Sequence, residues 1–246
     1  MTFDQDGAST ALPRMIEAEL LASDPPVRAE ISAHIVYQTR SMAERCLALV
    51  EQESPDVVLL WLPGSVFAEQ SVSFSIYRRA RPLYRLLRPA IEAGRSAGGG
   101  GIEGTSGLRG LLYRLPRAIA RLLFGRATFI PEDVALASTI TCLRTLASRR
   151  PLVVRLAHAY ARDEAQLPAI VEKVAAYNAT VRAECDKLGV PCFDPEHEVT
   201  GLGVAYRMLP DRLHPDETTR RILGRVAASY LGKAAERFEG GVRRDV

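Results

Sequence analysis

Close to the C-terminus the chain reads Asp211-Arg-Leu-His214-Pro215, followed at once by an amphipathic helical pattern. A D-x-x-H spacing puts a carboxylate and an imidazole within one turn, close enough to hydrogen-bond. An imidazole held in this way is the group that proton transfer uses most often. The competing reading is a surface histidine that helps to cap a helix. The other three histidines are weaker candidates. His34 falls in a predicted strand and His158 just past another, and both read as structural residues. His197 follows Asp194-Pro-Glu196 and reads as part of a solvated loop, since no further ligand spacing supports a metal. Cys46, Cys142, Cys185 and Cys192 are scattered without C-x-x-C spacing. They read as reduced, partly buried thiols, which suits a cytoplasmic protein.

These residues need elements to hold them. The 246 residues, 47% hydrophobic and 25% charged, suit one α/β domain with a sizeable core. Short branched apolar runs at Ile31–Val36, Val57–Leu62 and Leu152–Leu156 predict buried parallel strands, the last two introduced by prolines. A fourth and shorter run, Val190–Phe193, follows a Leu188-Gly189 helix stop. Helical spacing occurs at Leu12–Leu21, at Ser41–Glu53 and, most clearly, over 166–188. A final helix starts after Asp216, a suitable N-cap, with Ile222, Leu223, Val226, Tyr230 and Leu231 turned inward. Alternating strand and helix predicts a three-layer α/β/α domain with a mostly parallel sheet.

In this order the elements resemble the SGNH (GDSL-type) esterases and acyl hydrolases, a flavodoxin-like fold. The resemblance covers most of the chain and is best from Pro151 to Leu231, ending in Asp211-x-x-His214-Pro215. Ser54-Pro-Asp-Val-Val-Leu-Leu-Trp61 is similar to the family's third strand. Matched residue by residue, His214 is the base and Asp211 its orienting carboxylate. Gly7-Ala8-Ser9 stands where the family places its nucleophile, before a helix-like Leu12–Leu20; otherwise Ser9 only caps that helix. The implied reaction is cleavage of a small acyl ester by a Ser-His-Asp mechanism, with no metal or organic cofactor. The chain departs from the family in its oxyanion donors. No glycine lies between Gly7 and Gly64, and the family's third-block asparagine is missing because Asn178, inside the long helix, is the chain's one asparagine. Gly64, Ser65 and Gln38 are the candidate substrate-binding positions in its place. Met1–Asp6 is a poor first strand, so either the chain starts too far downstream or that strand has decayed. A non-catalytic member that binds an acyl or glycan ligand, or a partner protein, is the second reading.

Residues 71–130 are expected to form an insertion into the domain. Within it, 78–126 holds eleven arginines, no lysine and just Glu92 and Glu103, a local net of +9 in a chain of net +3. A glycine run at 98–101 separates two arginine-rich helical patterns. In the second, Leu108, Leu111, Leu112, Leu115, Ile119, Leu122 and Leu123 share an arc opposite Arg114, Arg117 and Arg121. Such a helix packs as a lid with its arginines in water, or rests on an anionic lipid surface. The one-sided charge does not point to a nucleic-acid-binding fold. No apolar run reaches the ~20 residues of a membrane span, and no signal peptide is apparent.

Overall fold

A computed structural model describes residues 8–24, 26–67, 82, 85, 128, 130–159, 167–209 and 215–242, apart from the side chains at 8–11, 65 and 237–242. The chain divides into two compact units, one formed by Met1–Phe67 with Ile130–Val246 and the other by Ala68–Phe129. The expected arginine-rich helices and the glycine run fall in the second unit and, apart from residues 82 and 85, lie outside the described residues.

In the first unit the order is α1 (Ala8–Leu21), α2 (Met42–Glu53), β1 (Val58–Trp61), α3 (Glu132–Ala147), β2 (Leu152–Arg155), α4 (Leu167–Leu188), β3 (Cys192–Phe193), α5 (Pro195–Gly201) and α6 (Glu217–Val242). The three strands are parallel, in the order β1-β2-β3, with Val58 opposite Leu152 and Val154 opposite Cys192. Their runs are short, branched and apolar because both faces of the sheet are covered. Alternation along each strand divides the side chains between two cores. Val58, Leu60, Leu152, Val154 and Leu156 pack with α2, α3 and α4. Val57, Leu59, Val153 and Phe193 pack with α1 and α6. The fold is therefore α/β, with three layers and a parallel sheet in the middle.

Between α1 and α6 the approach is close because Gly224 lacks a side chain. A Cβ there would lie 3.1 Å from that of Met15. Ala227 and Ala228 continue this thin face, while the larger Val226, Tyr230 and Leu231 stay half-buried beside it. Asp216 caps α6 as expected, accepting from the Thr219 N–H at 2.7 Å. On α4, Ile170, Val174, Tyr177, Val181 and Cys185 are buried, whereas Val171 and Leu188 are exposed.

Two expectations are corrected. Ile31–Val36 is not a strand but an extended segment, with Ile35 71% and Tyr37 50% exposed. An apolar run becomes a strand only beside another strand, and no described residue pairs with this one. Its ends are anchored instead: Ile31 donates its N–H to Glu17 Oε1 at 2.9 Å, and Val36 packs into the α2–α4 core. The supposed loop around His197 is the helix α5. Pro195 supplies its first residue, and Asp194 Oδ1 accepts from the N–H groups of Glu196 and His197.

Candidate active site

In an open parallel sheet, functional groups gather where the strands end at their carboxyl sides. After β1 the chain passes Leu62 and Pro63 into a single 3-10 turn, Gly64–Val66, and Phe67 packs edge-on against Tyr177 with ring centroids 5.0 Å apart. At the end of β2, Arg155 is buried. Its guanidinium lies 4.1 Å over the Trp61 ring, and it donates to the Leu62 carbonyl at 3.2 Å. One residue past Leu156, the Asn178 side chain of α4 holds Ala157 at two points. Its Oδ1 accepts from the Ala157 N–H (3.1 Å), and its Nδ2 donates to the Ala157 carbonyl (2.8 Å). These bonds replace the ladder partners that the backbone loses where the strand stops.

His158 follows. It stacks on Tyr206, centroids 4.0 Å apart, and its Nδ1 lies 3.4 Å from Glu196 Oε2 on α5. The imidazole is pushed down to about 4, first by burial and then by the Arg155 charge, with Asp194 acting in the opposite sense. Glu196 is more than half exposed, so water screens its pull. His158 is accordingly neutral near pH 7. Tyr206 is pushed up, chiefly by burial.

Tyr206 lies shortly before the residues that flank the predicted pair in sequence. Met208 forms an antiparallel bridge with Pro215, the Asp216 N–H donates to the Arg207 carbonyl at 3.0 Å, and the Arg207 N–H donates to Thr219 Oγ1 at 3.1 Å. Asp211 and His214 themselves lie outside the described residues. Ser9 is in the first turn of α1, and its side chain is likewise not described. Gly64 is buried at the head of the turn after β1, and Ser65 follows it with its side chain not described. Gln38 is 1% exposed, and its Nε2 donates both to Thr139 Oγ1 (3.0 Å) and to Tyr177 Oη (2.6 Å). Thr139 and Tyr177 bond each other at 2.8 Å, and burial pushes the phenol well above its ordinary range. His34 is exposed, 3.8 Å from Glu53.

The sequence singled out His158 only as a residue just past a strand, and missed Glu196, Tyr206 and Arg155. A lone arginine inside the apolar run Leu152-Val-Val-Arg-Leu156 was the available signal. A hollow of about 430 Å3 lies beside this end of the sheet, lined by Asn178, Arg182, Asp186 and Asp194 with the small residues of α4. Among the described residues no group of histidine, cysteine, aspartate and glutamate side chains could hold a metal, and no helix is long and apolar enough to cross a membrane.

No protein-family model matches the chain, and no curated protein matches it. Among solved structures it is similar to LAE5, an α/β hydrolase enzyme from the metagenome of Lake Arreo, Spain. The likeness covers 96% of this chain and 85% of that one, with a TM-score of 0.52 and 13% identity. At that identity it is a likeness of fold.

Proposed function

We propose that this protein is a serine hydrolase of SGNH type, cleaving a small acyl ester with Ser9 as nucleophile, His214 as base and Asp211 as the carboxylate that orients it. The observation that carries this reading is the pairing of the residues that flank 210–214. Met208 bridges Pro215, Asp216 caps α6, and Tyr206, two residues before Met208, stacks on His158 past the carboxyl end of β2. Helices α1 and α6 are in contact, Met15 against Gly224 and Arg225 donating to Glu19. Helix α1, which begins next to Ser9, therefore packs on α6, the helix that follows His214 in sequence. The likeness in fold to an α/β hydrolase enzyme supports the hydrolase part of this reading and does not bear on its SGNH type. In the proposed reaction His214 takes the Ser9 proton as Oγ attacks the acyl carbon, and Asp211 stabilises the imidazolium. The N–H groups of Ser9 and of the Gly64 turn would face the oxyanion.

A second reading, a non-catalytic protein that binds an acyl or glycan ligand or a partner protein, draws on the amides. Asn178 is engaged by Ala157, and the Gln38 amide by Thr139 and Tyr177. Both N–H donors of Gln38 are engaged and one of the two on Asn178 Nδ2 is taken by Ala157; one lost oxyanion donor costs ~10²–10³ in rate. Hydrolysis of p-nitrophenyl acetate and labelling by a fluorophosphonate separate the two readings. The enzyme reading expects both signals, abolished in Ser9→Ala and lowered by orders of magnitude in His214→Ala. Equal signals from all three proteins would leave the binding reading.

A further inference from the structure

Helix α4 carries two rows of side chains along the hollow beside β3. Asn178, Arg182 and Asp186 form one row, and Ala175, Ala179 and Ala183 form the next. Residues four apart are neighbours along a helix face, so the first row runs for about 12 Å. Asp194, directly after β3, completes the lining of this hollow of about 430 Å3. The alanines keep the space open and give it an apolar wall.

The polar groups here have capacity that the protein itself does not use. Asn178 is 9% exposed, and its Nδ2 carries two hydrogens, of which the Ala157 carbonyl takes one. The second has no acceptor among the described residues, and a buried amide hydrogen gains from any acceptor brought to it. Asp194 accepts two N–H groups on Oδ1, while no described residue donates to its Oδ2. Arg182 and Asp186 are opposite charges one turn apart, a spacing at which side chains can pair. Neither has an ion-pair partner among the described residues. Along the same helix, by contrast, Lys173 pairs with Glu132, and Glu184 with Arg144 and Lys187.

One guanidinium and two carboxylates give the hollow a net charge of −1. A ligand that matches it carries one carboxylate and two cations. The planar fork of Arg182 suits a carboxylate, and the open Asn178 N–H adds a donor to it. The two aspartates accept from ammonium groups, and the alanine methyls cover an aliphatic stem between them. We propose that this hollow binds a free basic amino acid of the lysine type, its carboxylate held by Arg182 and Asn178 and its two ammonium groups by Asp194 and Asp186. A neutral sugar satisfies hydrogen bonds here but compensates no charge. An inorganic anion engages Arg182 and Asn178 but faces two carboxylates. No residue of the proposed hydrolytic mechanism takes part, so the inference stands apart from that reading.

The test follows one signal. Nitrogen-15 in the asparagine side chain marks a single NH2 group, because Asn178 is the chain's one asparagine. Titration of the full-length protein with L-lysine should shift that signal to saturation at millimolar concentration. Norleucine lacks the side-chain ammonium, lysinamide the carboxylate and Nα-acetyl-lysine the α-ammonium. Each should bind about tenfold more weakly, the size of one charge-assisted hydrogen bond. Arg182→Gln, Asp186→Asn and Asp194→Asn should weaken lysine by a similar factor. Arg182 and Asp186 are exposed, and asparagine is itself a good N-cap for α5, so these variants should keep the wild-type Tm. Added salt should weaken binding, since it screens exposed charges. The proposal is overturned if L-lysine leaves the Asn178 signal unmoved, if any of the three analogues binds as tightly as lysine, or if Arg182→Gln binds lysine as the wild type does. None of these readouts depends on esterase activity, so failure here is distinct from failure of the hydrolase reading.

Discussion

Replacing Asn178 by alanine removes both bonds that hold Ala157, and the structure sets the cost. Ala157 is 2% exposed, so its N–H and carbonyl lose their partners where water reaches them poorly. A buried backbone group left without a bond costs about 1–3 kcal/mol. Asn178 itself is 9% exposed and lines a hollow, so a water entering the vacated space recovers part of this. The expected loss is about 2–4 kcal/mol, or a fall in Tm of roughly 5–15 °C for a chain of this size. Asn178→Asp tests the direction of each bond. The carboxylate still accepts from the N–H but faces the Ala157 carbonyl with a second acceptor, which raises the pKa of the introduced acid in the folded state. Its destabilisation is then present above that pKa and relieved as pH falls through it, when the protonated acid donates again. Thermal and urea unfolding followed by circular dichroism, at pH 7 and at pH 4.5, measures both variants against the wild type. An alanine variant within about 0.5 kcal/mol of wild type would refute the clamp.

Three other outcomes are expected. His158 is held near 4 in the fold against 6.5 when free, so the unfolded chain binds the extra proton between those values. Stability should fall as pH drops from about 6.5 to about 4, by up to about 3 kcal/mol, and this slope should be missing in His158→Phe, which keeps the stack on Tyr206. Gln38 Oε1 is buried without a hydrogen-bond partner while its Nε2 makes two bonds, so Gln38→Leu removes an unsatisfied acceptor along with the donors. Its cost in urea unfolding should stay within about 1.5 kcal/mol, and a loss above 3 kcal/mol would show that the amide bonds matter far more. If the arginine-rich segment meets anionic lipid, co-sedimentation with anionic vesicles should fall from low to high salt and in the combined Arg114, Arg117 and Arg121 to alanine variant, since exposed charges are screened over about 8–10 Å; equal sedimentation with neutral vesicles would leave those residues without a lipid role.

The strands β1 to β3 could be read from the chain because buried parallel strands carry their signal locally: branched apolar residues bounded by proline or glycine. Ile31–Val36 has the same local signal and fails, because the deciding factor is a neighbour that the run itself does not encode. Helix α5 was hidden for the opposite reason. Its seven residues carry no apolar periodicity, and only Asp194-Pro195-Glu196, a cap followed by a first-turn proline and acid, marks its start. The polar site was hidden by distance in sequence. Gln38 finds Thr139 and Tyr177 across 101 and 139 residues, and His158 follows β2 whereas Glu196 lies on α5 and Tyr206 between α5 and α6. Asn178 could be noticed as the chain's single asparagine, yet its partner is a backbone group, which no side-chain spacing announces.

That asparagine also bears on how any hydrolysis would work here. In the SGNH pattern one oxyanion donor is an asparagine amide, whereas this chain commits its sole asparagine to the end of β2 and its buried glutamine to the core. If the proposed site is right, its oxyanion donors would be chiefly backbone N–H groups, those of Ser9 and of the turn that begins at Gly64. Backbone donors are rigid and need no reorganisation, so they are suited to the task, but they are fewer by one. On this basis the protein should hydrolyse activated esters, whose leaving groups need little help, well ahead of alkyl esters. A leaving-group series with Ser9→Ala as background would show it as a steep dependence on leaving-group pKa. A flat dependence would mean that a third donor, supplied by residues other than Gln38 and Asn178, completes the site.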